Sequence, residues 1–414
     1  MALDHEELRR RRQERQRQRE AKQKQNKKML IRLCVAVVVL GFVILGIFLL
    51  SRNGRNNRPA QNGDIDQTTG PADTVIPLAA AGDLNVTDRV VAAGTEEYDY
   101  TQTFLDVGHL LGAADISVVN FEGNLAGTPY GSNYVSAPKS MMEALDAAGV
   151  DLVQLANSYS IKNGMSGLSS TIDGVRSHGM EPLGVYADEG QYRKAGGYTI
   201  CNVQGVRIAF AAFTKGMDGM TLPAGNENCV NLLYSDYDSA YQQVNTEKIN
   251  QIMDAIEDEN PDLVVVLVHW GSEFNDTIST SQEKICALLQ ERGADAIIGT
   301  HPHYVQQMVY NQETGSFVAY SLGDFFGDAP RAGSEYSVVL DLEITKSATT
   351  GDTRITGYSY TPIFTATDGE RLQLLRIHEA MAAYENGYMG KVSQSTYEAM
   401  AYALERIEKR VTGQ

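Results

Sequence analysis

Cysteine is scarce in this chain, with 4 in 414 residues and no Cys-x-x-Cys pair, which excludes a disulfide framework and a cysteine-based zinc or redox motif. Cys34 falls in an apolar run, while Cys201 and Cys229 are open to pairing in an oxidising compartment or to remaining buried thiols. Tryptophan is nearly absent, at 1 residue, and no internal repeat is evident. Positive charge is short as well. Through Arg58 the chain holds about 15 Lys and Arg against 5 Asp and Glu, leaving 20 against 47 for the remainder, a net charge near −27. So acidic a body argues against nucleic acid as a main partner.

What is present is 43% hydrophobic and 8% aromatic residues, enough for one large globular domain or two ordinary ones. From Leu33 to Leu50 runs LCVAVVVLGFVILGIFLL, free of charge. As a helix it spans roughly 27 Å, close to the hydrocarbon thickness of a bilayer. The preceding tail is far richer in Lys and Arg than SRNGRNNR after the run, so the positive-inside rule places the N-terminus in the cytoplasm. A cleaved signal peptide is disfavoured by the long basic start and by the lack of a small-residue cleavage site. The organisation expected is a basic cytoplasmic tail (1–28), a transmembrane helix (29–51), a flexible Asn/Gly/Asp-rich linker (52–73), an extracytoplasmic domain (74–368) and a C-terminal helical segment (369–414).

Within the domain, short apolar runs alternate with helical stretches: TVIPLAAAGDLN, DISVVNFEGNL, DLVQLANS, EPLGVY, VRIAFAAFT, DLVVVLVHWG, ADAIIGTHPH and FVAYSLGDF, with helices near 141–149, 170–179, 241–258 and 280–292. Continuous apolar strands of this kind are buried on both faces, which predicts an α/β fold. YSVVLDLEIT and TRITGYSYTPIFTATD alternate at period two and predict antiparallel strands completing mixed sheets. Polar residues gather at strand ends, where the chemistry of such sheets collects. They are Asp83, Glu122, Asn157 with Ser158 and Tyr159, His269, His301 with His303, and Asp324. Two imidazoles flanking a proline in GTHPH, with His269 and the carboxylates Asp83 and Glu122, make a mixed N/O donor set for zinc, manganese or iron. Each residue alone also has an ordinary reading: a turn cap for Asp83, a buried ion pair for Glu122, a core histidine for His269.

The segments AAAGDLN, VVNFEGNL, QLANSYSIKNG, VLVHWGSEF, RGADAIIGTHPHYVQ and VAYSLGDF, in this order, resemble the CapA family of bacterial capsule-synthesis proteins over about residues 75–330. That resemblance implies a calcineurin-like metallophosphoesterase fold, an α/β/β/α sandwich with mixed sheets. It also implies a role in making or exporting a poly-γ-glutamate type polymer at the cell membrane. The partners it implies are a polymer synthase or export complex and an anionic or peptidic polymer. It further implies a divalent metal on Asp83, Glu122, His269, His301 and His303. Two departures stand out: the family's Asn-Asn-His is Asn157-Ser158-Tyr159 here, with Lys162 at a following Asp position, and GHHPH has Thr300 at its second place. Serine is a poor metal ligand and tyrosine a weaker acid than imidazole at neutral pH. This leaves two expectations: an accessory subunit whose site has decayed, or a metal-dependent hydrolase in which Tyr159 or Asp324 assists protonation.

Overall fold

The computed structural model describes residues 72–95, 98–368, 371–388 and 392–414. The expected tail, membrane helix and nearly all of the linker lie outside these residues. Among the described residues no helix is long and apolar enough to cross a membrane.

Thirteen strands are described: β1 (Thr74–Asn85), β2 (Ile116–Glu122), β3 (Leu152–Gln154), β4 (Glu181–Leu183), β5 (Tyr198–Val203), β6 (Val206–Thr214), β7 (Leu263–His269), β8 (Ala296–Thr300), β9 (Met308–Asn311), β10 (Ser316–Ala319), β11 (Tyr336–Lys346), β12 (Thr353–Asp368) and β13 (Arg371–Arg376). They form two mixed sheets, ordered β13-β12-β11-β1-β2-β3-β4 and β5-β6-β7-β8-β10-β9. Strands β1 to β4 run parallel, as do β6, β7, β8 and β10, and the antiparallel members sit at the flanks.

Period-two alternation shows how the layers meet. On β7, Leu263, Val265 and Leu267 join the core shared by the two sheets, whereas Val266 and Val268 face a second core. That second core is closed by Ile249, Ile252, Met253 and Ile256 of the helix Thr246–Asp258 and by Ile285 and Leu289 of the helix Thr280–Glu291. The latter helix starts on a capping box of Ser279 and Gln282, which satisfies two orphan N–H groups and sets where β7 hands over to the helix. Strand β2 is buried at every position, as a strand covered on both faces requires. Helices Leu105–Gly112 and Gly164–Ser177 pack against the first sheet.

Two expectations change. Residues 371–376 are not helical: RLQLLR buries Leu372 and Leu374 around a partly exposed Gln373, and pairs with β12 from Ile363↔Arg376 to Asp368↔Arg371. Helical structure resumes only at Ile377–Glu385 and Gln394–Thr412. The run FVAYSLGDF is a strand only to Ala319, so Asp324 lies in the loop beyond β10.

Candidate metal centre

The C-terminal ends of β1, β2, β7 and β8 converge, and the loops after β3, β8 and β10 close over them. At β1 the register against β2 slips by one residue: Ala81 pairs with Val119, but Asp83 pairs with Asn120. The extra residue is Gly82, and a Cβ there would overlap the carbonyl oxygen of Gly323. The slip turns Asp83 onto the face of Asn120, whose Nδ2 donates to Asp83 Oδ1 at 2.5 Å. Asp83 Oδ2 accepts the backbone N–H of His301 at 2.9 Å. Asn157 Nδ2 donates to Asn120 Oδ1 at 3.1 Å, so two buried amides brace the carboxylate.

His269 ends β7 on the face between the sheets, opposite Thr300 of β8. Its Nδ1 lies 3.0 Å from Thr300 Oγ1, and its Nε2 lies 2.8 Å from Glu122 Oε1 and 3.0 Å from Ser158 Oγ. The Glu122 approach is not directed along an N–H, and that buried oxygen accepts no hydrogen bond. His301 stacks edge-on against His269 with ring centroids 4.6 Å apart. The Nζ of Lys215 reaches the other side of the His301 ring, 3.2 Å from Nε2, and donates to the Gly271 carbonyl at 2.8 Å. His303 Nδ1 sits 2.7 Å from Asp324 Oδ1 and 3.8 Å from Asp83 Oδ2. Both histidines of the loop hold positive φ, 91° at His301 and 58° at His303, a strained backbone that the surrounding bonds impose.

The donors fall into two groups, Glu122 with His269 and His301, and Asp83 with His303 and Asp324, the ligand atoms of each lying within 4.8 Å of one another. Burial and the neighbouring Glu122 push the Asp83 carboxyl up to about 7, and burial pushes Glu122 to about 7. Burial lowers His269 to about 3 and holds His301 well below the ordinary imidazole range, so both rings are neutral. Burial opposes charge on His303 too, but Asp324, Glu122 and Asp83 together outweigh it and hold its imidazolium well above the usual value. Burial likewise pushes the Lys215 ammonium down.

Three buried carboxylates against so little positive charge is a costly arrangement unless a cation joins it. Each group also contains one buried carboxylate oxygen without a hydrogen-bond partner, Glu122 Oε1 in the first and Asp324 Oδ2 in the second. Neutral imidazoles, orphaned carboxylate oxygens and mixed N/O donors fit divalent metal ions.

The centre floors a cleft of about 200 Å³ whose walls include Tyr159, Glu273, Phe274 and Asp328. All five residues expected as metal ligands thus come together. Asp324, expected as a proton carrier, stands among the donors beside His303. Tyr159 lines the cleft, not the donor groups, and burial raises its phenol well above the ordinary value. Asn120 and Lys215 carried no signal in the sequence: Asn120 lies inside an apolar strand and Lys215 just past one, and only the packing of β1, β2 and β6 ends brings them here.

A family model described as bacterial capsule synthesis protein PGA_cap matches residues 77–329, which contain every donor named above. The chain is 25% identical over 287 residues to "PGA biosynthesis protein CapA" of Bacillus subtilis, covering 67% of this chain and 70% of the relative. It is 29% identical over 217 residues to "Capsule biosynthesis protein CapA" of Bacillus anthracis, covering 52% and 49%, so the match spans about half of that relative's length. Among solved structures it aligns with the calcineurin-like phosphoesterase YfkN of Bacillus subtilis at 14% identity and TM-score 0.42, covering 82% of this chain and 98% of that one. A hypothetical protein of Thermus thermophilus aligns at 16% identity and TM-score 0.42, covering 69% and 98%.

Proposed function

Because the chain belongs to the PGA_cap family of bacterial capsule synthesis proteins, we propose that it is a membrane-tethered component of the machinery that makes or exports an envelope polymer of poly-γ-glutamate type. The observation that carries this reading is that the family match encloses the whole donor centre. The apolar run at 33–50, with its basic flank, supports an anchor that holds the domain outside the membrane, beside the polymer-building complex. An outer part with a net charge near −27 repels a polyanion, which favours contact with the synthase over contact with free polymer and makes an accessory role the simpler one. In a producing strain, loss of this chain should abolish surface polymer. Full-length chain should restore it, and chain lacking 29–51 should not. Unchanged polymer in the deletion strain would overturn the proposal.

The centre favours a second reading on one specific observation, the pair of donor groups opening into the cleft: a metal-dependent hydrolase of phosphoester or amide bonds. Bound divalent ions would supply Lewis-acid polarisation and an activated water. The chain's own part is to orient the His269 ring through Thr300, to keep both carboxylate oxygens of Asp83 engaged, and to wall the cleft with Tyr159 and Phe274. Metal analysis of purified chain tests it. Stoichiometric divalent metal lost in His269→Ala and His301→Ala supports this reading, and a folded, metal-free chain sinks it.

A further inference from the structure

The helix Gln394–Thr412 lies beyond the family-matched residues, yet one of its side chains reaches the loops that carry the centre. The side chain of Arg410 is 8% exposed, although it is a guanidinium on the last turn of a surface helix. Its planar head lies 4.5 Å from the ring centroid of Tyr304 and 5.2 Å from that of Tyr336. It pairs with Asp276 at 3.3 Å and donates to the Gly333 carbonyl at 3.4 Å. Three loops therefore meet on one group: the loop after β7, the loop after β8 and the loop before β11.

Two of those contacts lead directly to a metal donor. Tyr304 follows His303 in the chain, and its hydroxyl donates to the Ala332 carbonyl at 2.8 Å, which pins the residue next to the ligand. Asp276 stands two residues from Phe274, whose ring stacks on His303 at 5.1 Å and 23° and whose backbone N–H donates to the Pro302 carbonyl at 2.8 Å. His303 is thus gripped on one side through its own backbone and on the other by a ring, and both grips run back to Arg410, which shares Asp276 with Arg406 of the same helix at 3.4 Å. Among the described residues nothing comparable ties this helix to Glu122, His269 or His301.

We propose that Arg410 is a positioning residue for His303, so that the C-terminal helix is a working part of the second donor group, Asp83 with His303 and Asp324. The proposal rests on the reading that the centre holds divalent ions. A planar, delocalised cation lying over two rings is not replaced by an ammonium, although an ammonium retains the pairing with Asp276.

The test is Mn²⁺ binding to full-length purified chain, by calorimetry and metal analysis, with thermal unfolding alongside. Wild-type chain should take two ions. In Arg410→Met one ion should bind as before and the other about 10–100-fold more weakly, the usual consequence of losing a group that orients a ligand. Arg410→Lys should recover part of that loss. Asp276→Asn, an exposed and mild change, should weaken the same single ion by a few-fold and keeps the test decisive where Arg410→Met fails to fold. Unchanged binding of both ions in the variants overturns the proposal alone, as does equal weakening of both together with lost stability, which marks a merely structural role. A wild-type chain that binds no Mn²⁺ overturns the reading of the centre and, with it, the proposal.

Discussion

Asp83 Oδ2 accepts the backbone N–H of His301 at 2.9 Å, joining positions 218 residues apart in the chain. The bond holds His301 at a φ of 91° that an unrestrained histidine avoids, and it gives a buried carboxylate a partner that carries no charge. The first strand and the loop after β8 are thereby set as one unit before any metal arrives. Consequences of this packing can be measured.

Glu122 and Asp83 predict how the metal-free chain responds to pH. Both carboxyls stand near 7 in the folded state, above their ordinary values of 4.5 and 3.8. A raised folded value means the contribution is intact below the unfolded value and is lost as pH rises through the folded value. His269 and His301, neutral in the folded state, add stability as pH rises to about 6.5 and so oppose the carboxylates. The carboxylate share is therefore read as a difference: chelator-treated Glu122→Gln should gain in urea midpoint over the unsubstituted chain as pH rises from 5 to 8. A difference that stays constant across this window contradicts the placement of Glu122.

Thr300→Val tests what orients the His269 ring. Valine keeps the volume but removes the oxygen 3.0 Å from Nδ1, and so removes the hydrogen bond that anchors that edge of the ring. Metal affinity at the Glu122, His269 and His301 group should fall about 10–100-fold in chelator competition, with little change in thermal unfolding. Unaltered affinity would mean that Thr300 does not orient this ligand.

Gly82→Ala should be among the most damaging changes available. The new methyl would meet the Gly323 carbonyl oxygen, which itself accepts the Asp83 backbone N–H at 3.0 Å. Loss of about 3 kcal/mol or more is expected, since both neighbours are backbone and cannot swing away. Urea midpoints measure it, and a change below about 1 kcal/mol would show that β1 and the 321–326 loop can part.

Ser158→Asn combined with Tyr159→His tests whether the centre is held back at one loop only. Ser158 Oγ lies 3.0 Å from His269 Nε2 and 3.5 Å from His301 Nδ1, so an amide there would face the first donor group, and an imidazole at 159 would line the cleft. Measurable metal-dependent hydrolysis of a model phosphodiester is expected in the double variant. Its absence would place the defect elsewhere in the centre.

Much of this was legible in the residues. Strands β1, β2, β6, β7 and β8 stand out as largely apolar runs because most of their residues are buried, and the polar residues that end them are conspicuous for that reason. The strand Arg371–Arg376 was not, since six residues followed by helical sequence carry too little alternation to separate a strand from the start of a helix. The residues place Asp324 at a strand end and give no sign of its neighbour; β10 stops at Ala319, and the loop beyond it sets Asp324 2.7 Å from His303.

By itself the sequence determined which side chains could carry chemistry and that they stand at strand ends, because burial and alternation are local properties of a chain. Tertiary structure decided how those side chains are divided: Glu122 with His269 of β7 and His301 just past β8, and Asp83 with His303 and Asp324. That division depends on a one-residue register slip at Gly82 and on which strand ends adjoin. Both are long-range pairings that leave no periodic trace in the residues themselves.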